Sequence, residues 1–541
     1  MASVFGKVFD QEHLQAAMAL LPEILETRLR QLQEADLICR IGRSPQGRYE
    51  FNHVLVQELT YRALPPDRLT ASHLQIAEAL VRQAGKGGPK SPEIVARHFA
   101  MAGQTRKAID YFDSAGRRAA RVSAHQEAAT HFRAALALLP ELPEGAVRAR
   151  LELDLLLHLG PHVLATQGFA ATDVAEIYES ARDLVVHNAT RAEPEKRDRI
   201  LWGLWGYFLV RGDISASYGL GAEFLANARE QGDPVSILAG NQMLGLCSFY
   251  RGKLAQALDY LEKARALYTE DQAEAHLRRY GLNLSVAAWA YLSWTLALRG
   301  EATRAITECE RNLKEADRLR HDFSQIVARV FATGTFLFLG DEERAAPHAQ
   351  HAADLPELRR FAQMRGQATM QVGRLADRNG DPGGIETLHA GLQDYQATGA
   401  ALAVPHGKAW VAEALLAAGD GTAALETVDA ALDHVDRTGV RFFDAELHRL
   451  RGLCLNALHP DRPELAEAAF RAALQSGKET GALLLCLRAV ADYAEALRGW
   501  GRGEKAALVL RDAAGVEPAA EDALPEARRI VALLESFGAG G

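Results

Sequence analysis

Eighteen histidines and a surplus of carboxylates are the groups through which this chain could do chemistry. A transition-metal site needs three or four ligands gathered by spacing, as in His-Glu-x-x-His or paired Cys-x-x-Cys. His125 and His131 stand six apart, and His348 and His351 three apart. The second pair could share a helix face, but neither has a third ligand at a metal-binding interval, so structural histidines are expected. Cys39, Cys247, Cys309, Cys454 and Cys486 are scattered, with no paired spacing, and read as buried thiols of a reducing compartment. Gly85-Lys86-Gly87-Gly88-Pro89-Lys90-Ser91 has the composition of a phosphate-binding loop. It lacks the Gly-x-x-x-x-Gly-Lys-[Ser/Thr] interval, Pro89 removes a backbone amide, and a helix precedes it, so a flexible linker is expected. There is no nucleophile elbow, dinucleotide fingerprint or telling carboxylate couple. The chain is therefore expected not to be an enzyme, with no catalytic, cofactor or metal residues.

What the sequence does contain is a repeat. Gly212, Gly252, Gly300, Gly340, Gly380 and Gly419 are separated by 40, 48, 40, 40 and 39 residues, and Asp461 and Gly501 continue the series at 42 and 40. Five residues past these turns stand Ala257, Ala305, Ala345, Ala424, Ala466 and Ala506, and twelve past them Ala264, Ala352, Ala431, Ala473 and Ala513. Small residues at fixed offsets from a glycine turn are what two closely packed helices require. The spacing looks like a tetratricopeptide repeat, usually about 34 residues, with both helices lengthened by most of a turn. The longer interval places an irregular loop near Asp271 to Arg278. Gly103, Ala108, Phe112 and Ala115, then Ala128, Phe132 and Ala135, match the template earlier at irregular spacing.

Such arrays bind extended peptides or partner helices on the face lined by the first helix of each pair. Registering positions against the turns gives Trp202, Gln242, Phe249, Trp294, Arg374 and Glu413 as partner-groove candidates, with Trp205 and Tyr291 nearby. An aromatic on a repeat helix is equally a candidate for inter-repeat core.

Before the repeats, Phe9 to Leu21 reads as a helix, and Pro22 opens a second with Leu25, Leu29 and Leu32 on one face. Leu37–Ile41 and Arg48–Phe51, joined by Pro45 and Gly47, read as a hairpin. Helix, helix, hairpin is the order of a winged helix. A groove-reading helix needs a positive face, whereas this one sets Glu23, Glu26 and Glu34 against Arg28 and Arg30. With a net charge of −9, nucleic acid is not the expected partner, although Arg40, Arg43 and Arg48 keep a transcriptional regulator with effector-binding repeats as the alternative. No secretory signal and no run long enough to span a membrane is visible, so a cytoplasmic protein is expected.

Several stretches resemble one family. Ala2–Phe9 looks like the hand-over from a P-loop ATPase module to its winged helix. Phe51-Asn52-His53-Val54-Leu55-Val56-Gln57-Glu58 with Tyr61 resembles its Phe-x-His-x-Leu-x-Gln signature. His73, Ile76, Ala77 and Leu80, Arg97-His98-Phe99, Leu159-Gly160-Pro161, Leu201–Trp205, Arg437-Thr438-Gly439 and Ala445–Leu450 follow at the family's spacing. These are similar to the carboxy-terminal half of bacterial multidomain proteins that join a class III adenylate/guanylate cyclase to a signal-transduction ATPase with numerous domains (STAND). No phosphate-binding loop, Walker B aspartate or cyclase aspartates are present here, so nucleotide chemistry does not carry over. What the resemblance implies is a sensing or restraining tail, whose partner is a P-loop ATPase or cyclase module in cis or in trans.

The expected fold is all-α, a tetratricopeptide-like helical-repeat superhelix with a small N-terminal winged-helix domain. The expected boundaries are 1–64 for the winged helix, 65–90 for a connecting helix and Gly-rich linker, 91–140 for an irregular start, 141–537 for the superhelix and 538–541 for a frayed tail. The expected function is a non-catalytic regulatory scaffold acting through protein–protein contact.

Overall fold

The computed structural model divides into two compact units, Met1–Val163 with Ser180–Arg191, and Leu164–Glu179 with Ala192–Gly541. Every residue is described except 43–46, 85–87, 123, 188–192, 281, 515–523 and 539–541. Arg43, the centre of the expected linker and the end of the expected frayed tail thus lie outside the described residues.

The first unit opens with α1 (Ala2–Phe5), β1 (Val8–Asp10), α2 (Gln11–Met18), α3 (Pro22–Glu34), β2 (Ile38–Ile41), β3 (Arg48–Phe51), α4 (Val54–Arg62) and α5 (Pro66–Ala84). The three strands form an antiparallel sheet in the order β1-β3-β2. Helix Phe9–Leu21 is corrected here: Val8–Asp10 is a strand, and the helix begins at Gln11. Phe9 pairs with Tyr49, stacks on its ring at 5.8 Å and is buried between two half-exposed neighbours, which is the alternation of a strand. Leu14, Leu25, Leu29, Ile38 and Phe51 complete this small core. Then come α6 (Pro92–Met101), α7 (Thr105–Arg121) and α8 (His125–Leu138). The next two helices, α9 (Ala146–Gln167) and α10 (Thr172–His187), are divided between the units.

The second unit is a tetratricopeptide-like superhelix of antiparallel pairs. They are α11 (Pro194–Val210) with α12 (Ile214–Gln231), α13 (Pro234–Tyr250) with α14 (Leu254–Leu267), an interposed α15 (Ala273–Tyr280), and α16 (Leu284–Leu298) with α17 (Ala302–Leu319). After them come α18 (Asp322–Phe338) with α19 (Glu342–Asp354), α20 (Ala362–Arg378) with α21 (Gly384–Ala397), and α22 (Val404–Ala417) with α23 (Gly421–Thr438). The array ends with α24 (Asp444–Leu458) and α25 (Pro463–Thr480), α26 (Leu483–Gly499) and α27 (Gly503–Ala514), and α28 (Pro525–Gly538). The protein is accordingly all-α apart from the small N-terminal sheet.

The period has a local cause. A left-handed glycine ends the first helix of most pairs, and the residue after it donates back five positions, as in Asp213 N to Phe208 O and Asp420 N to Leu415 O, both 2.9 Å. That same aspartate caps the second helix: Asp213 Oδ1 accepts from Ala216 N at 2.9 Å and Asp420 Oδ1 from Ala423 N at 3.0 Å. One Gly-Asp step thus stops one helix and starts the next. Ala257, Ala305, Ala345, Ala424, Ala466 and Ala506 are all completely buried at the crossing that follows. The expected irregular loop at Asp271 to Arg278 is corrected. A capping box of Thr269 and Gln272 starts a short 3-10 turn that leads into α15, whose His276 and Tyr280 are buried.

Within this unit the superhelix also meets itself edge to edge. Ala401 N, just before α22, donates to Val210 O at the end of α11 at 2.8 Å. One repeat further along both segments, Arg441 N donates to Tyr250 O at the end of α13 at 2.6 Å. Arg488 Nη2 reaches Phe338 O, at the end of α18, at 2.7 Å. The last carbonyls of a helix have no partner within it, and here distant repeats supply one.

Candidate functional site

The six groove candidates lie on the first helices of five of the pairs, α11, α13, α16, α20 and α22, and they fall into two groups. Trp202 (α11), Gln242 (α13), Phe249 (α13) and Trp294 (α16) are buried. Phe249 packs on Phe442 at 4.8 Å, and Trp294 on Phe331 at 4.4 Å and on His406 at 5.9 Å. Trp294 also donates from Nε1 to Phe331 O at 2.9 Å. Phe442 and His406 come from the late repeats, so these two aromatics hold the superhelix to itself. Trp202 stands apart, edge-on to Phe169 at 5.5 Å and near Tyr280 at 5.6 Å. Tyr291, noted beside them, shares a hydroxyl contact of 2.5 Å with Tyr250, and Trp205 donates to Cys247 Sγ at 3.3 Å.

Arg374 (α20) and Glu413 (α22) are brought together, Nη2 to Oε2 at 2.7 Å, and Glu413 remains about a third exposed. They begin a run of alternating charge along the first helices of the late repeats. Arg449 (α24) holds Glu446 at 2.7 Å and pairs with Asp492 (α26); Arg529 (α28) reaches Asp492 at 2.8 Å, and Arg488 (α26) reaches Glu526 at 2.8 Å. Burial alone would raise the carboxyl of Glu446, but Arg449 and Arg488 beside it hold it below the ordinary value. The sequence marks this run only through Ala445–Leu450, where Glu446 and Arg449 stand one turn apart.

In the first unit the family-like residues form a packed polar chain. Tyr61 hydroxyl lies 3.0 Å from His73 Nε2, and His73 Nδ1 lies 2.8 Å from His98 Nδ1. Two ring nitrogens that close share one proton, so one histidine donates and the other accepts. Burial lowers both, and His98, also facing His73 and Arg97, falls to about 4, so the pair is neutral at physiological pH. Phe51 is buried and Gln57 Nε2 donates to Ser3 O at 2.6 Å, so the ends of the Phe-x-His-x-Leu-x-Gln stretch are structural. Its middle faces outward: α4 has no buried residue, and Val54, Leu55 and Leu59 are 45%, 70% and 67% exposed. On α3, Leu25 and Leu29 point inward and the mixed Glu and Arg side chains outward, while Arg48 on β3 faces Asp10 at 3.8 Å.

Among the described residues no group of three or more His, Cys, Asp or Glu is placed to hold a metal ion. No described helix is long and apolar enough to cross a membrane.

Fold and site together define a tetratricopeptide-like helical-repeat protein. No family model matches the sequence. A curated protein of Rhizobium meliloti (strain 1021), itself uncharacterized, is 26% identical over 480 residues, covering 87% of this chain and 46% of its own length. The chain thus spans about half the length of the curated relative it matches. Among solved structures, a Rap protein complexed with competence and sporulation factor is 12% identical with a TM-score of 0.42, covering 79% of this chain and 99% of its own. A STAND protein with a tetratricopeptide repeat sensor from Pyrococcus horikoshii is 13% identical with a TM-score of 0.43, covering 84% and 64%. The apo quorum sensor NprR of B. thuringiensis is 15% identical with a TM-score of 0.40, covering 67% and 97%. Likeness this distant carries no conclusion about partners.

Proposed function

We propose that this chain is a non-catalytic regulatory module that acts by protein contact in a signalling system built on a P-loop ATPase or a class III cyclase. The observation that supports the reading most is α4. A nine-residue helix with no fully buried residue, whose Val56 and Tyr61 pack inward while Val54, Leu55 and Leu59 are exposed, presents an apolar patch of the kind that marks a protein-contact surface. It lies in the very stretch that resembles the family signature, where Phe51 and Gln57 are held by their own unit and Leu55 is not. The docked partner in this reading is the ATPase or cyclase module, in cis or in trans. Glu413, a third exposed beside the buried Arg374, offers a second, polar contact for a peptide or helix.

Affinity capture from the native cytosol followed by mass spectrometry tests this. The wild-type chain should recover a P-loop ATPase or cyclase. The double change Leu55→Asp and Leu59→Asp should lose it while the circular dichroism and Tm stay unaltered, because both side chains are exposed. Recovery of neither partner, or recovery indifferent to the double change, contradicts the proposal.

A further inference from the structure

Four helices of the second unit enclose a polar pocket of about 230 Å³. Asp198 of α11 lines it and is only 4% exposed. Its Oδ2 takes a hydrogen bond from Ser236 Oγ at 3.1 Å, but its buried Oδ1 has no hydrogen-bond partner. Ser236 Oγ is also 2.9 Å from Asp233 Oδ2 and 3.4 Å from the Tyr280 hydroxyl. One hydroxyl proton cannot serve two carboxylates at once. Asp233 has a cation of its own, since Arg279 pairs with it directly. Asp198 has none: Arg197 and Arg279 act on it only at a distance. A buried carboxylate oxygen without a donor is costly, and in a pocket that opens to solvent it is a place for a ligand to supply one.

We propose that this pocket binds a primary ammonium group, with Asp198 as its counter-charge. The open volume is smaller than the ~300–1,000 Å³ of pockets that hold drug-sized molecules, so it takes a headgroup and a short stem. An ammonium carries three donors on one atom, and the Asp198 carboxylate, the Tyr280 hydroxyl and the exposed Glu195 carboxylate are acceptors among the residues lining the cavity. A guanidinium would want both oxygens of one carboxylate in one plane with it, whereas an ammonium needs only one of them. The other charged groups facing the cavity are Arg199 on α11, which has interactions of its own, and the Asp233–Arg279 pair. Burial, with Asp233 adding to it against the Ser236 bond, raises the Asp198 carboxyl to about 6. Binding of a cation therefore falls as the solution is acidified through that value, while the amine itself stays charged.

The ammonium can belong to a free small amine or to the amino terminus of a peptide. Calorimetric titration of the full chain with n-propylammonium, with a tetrapeptide bearing a free amino terminus, and with its acetylated form separates these sources. Saturable binding of propylammonium, or of the free but not the acetylated peptide, supports the site, and the first probe to bind names the source. Asp198→Asn should weaken that binding at least tenfold. If that variant does not fold, the wild-type chain still decides: affinity should fall by about tenfold between pH 7 and 5. A flat pH profile, equal binding of the acetylated peptide, binding unchanged in Asp198→Asn, or no saturable binding of any probe overturns the proposal.

Discussion

The helix-to-helix turns of the second unit share one backbone conformation but not one environment. Gly212, Gly252 and Gly300 have φ of 86°, 68° and 83°, and Gly340, Gly380 and Gly419 have 71°, 79° and 86°. Beside the first three, a methyl group would meet atoms of distant repeats: Ala401 and Thr438 at 3.0 Å from Gly212, Thr480 at 2.7 Å from Gly252, and Leu483 at 3.1 Å from Gly300. Beside the last three it would meet nothing within 4 Å. The early turns are covered at the glycine and the late turns are open there, although Arg488 still reaches Phe338 O beside Gly340. The inner helices differ in the same sense, with the early ones carrying Phe249 and Trp294 in an aromatic core and the later ones carrying the Arg374 to Arg529 run of charges. A repeat code therefore specifies the pair and says nothing of which edges will meet.

The sharpest way to break this contrast is Trp294→Ala. It removes a fully enclosed indole, its hydrogen bond to Phe331 and its packing on His406, and should cost about 3–5 kcal/mol in urea unfolding. On the charged side, Arg449→Ala leaves Glu446 and Asp492 buried without their shared cation, again about 3–5 kcal/mol at pH 7. The two losses should respond differently to acid. In the wild type, the lowered carboxyl of Glu446 contributes stability that is present above the ordinary glutamate value and lost as pH falls below it. The variant has lost the Arg449 share of that contribution, keeping only that of Arg488, so the gap between variant and wild type should narrow from pH 7 to pH 4, whereas the Trp294→Ala gap should not. Unfolding midpoints at the two pH values check this.

The smallest effect is the most specific. Gly340→Ala and Gly252→Ala both force a side chain into left-handed backbone, at about 1–2 kcal/mol each. Gly252→Ala must also displace Thr480 and crowd Arg441 O at 3.3 Å, so its Tm should drop further than that of Gly340→Ala. Equal drops would mean that the space beside Gly252 is as open as that beside Gly340.

How much of this was legible in the sequence follows from which interactions are local. The glycine intervals and the small residues at fixed offsets mark the pairs because the Schellman turn and the helix crossing, with an aspartate cap at Asp213, Asp341 and Asp420, lie within one repeat. Strand Val8–Asp10 was not legible: three residues give no measurable alternation, and what makes them a strand is Tyr49 across the sheet. Nor was α15, since the inserted residues have no counterpart in the repeat. The groove candidates were picked by register alone, which finds the first helices but cannot tell that Phe442 will lie over Phe249. The Asp198 pocket gathers residues from four helices with no shared spacing and left no signal at all.

The superhelix closes on itself edge to edge, and backbone hydrogen exchange reads that contact directly. Ala401 and Arg441 lie in connections between helices, where amides ordinarily exchange fast, yet their N–H groups are bonded to Val210 O and Tyr250 O. Residue-resolved exchange on the native chain should find both amides protected to the degree of the buried helices α13 and α24. Exchange of both at the rate of an exposed loop would contradict the closure.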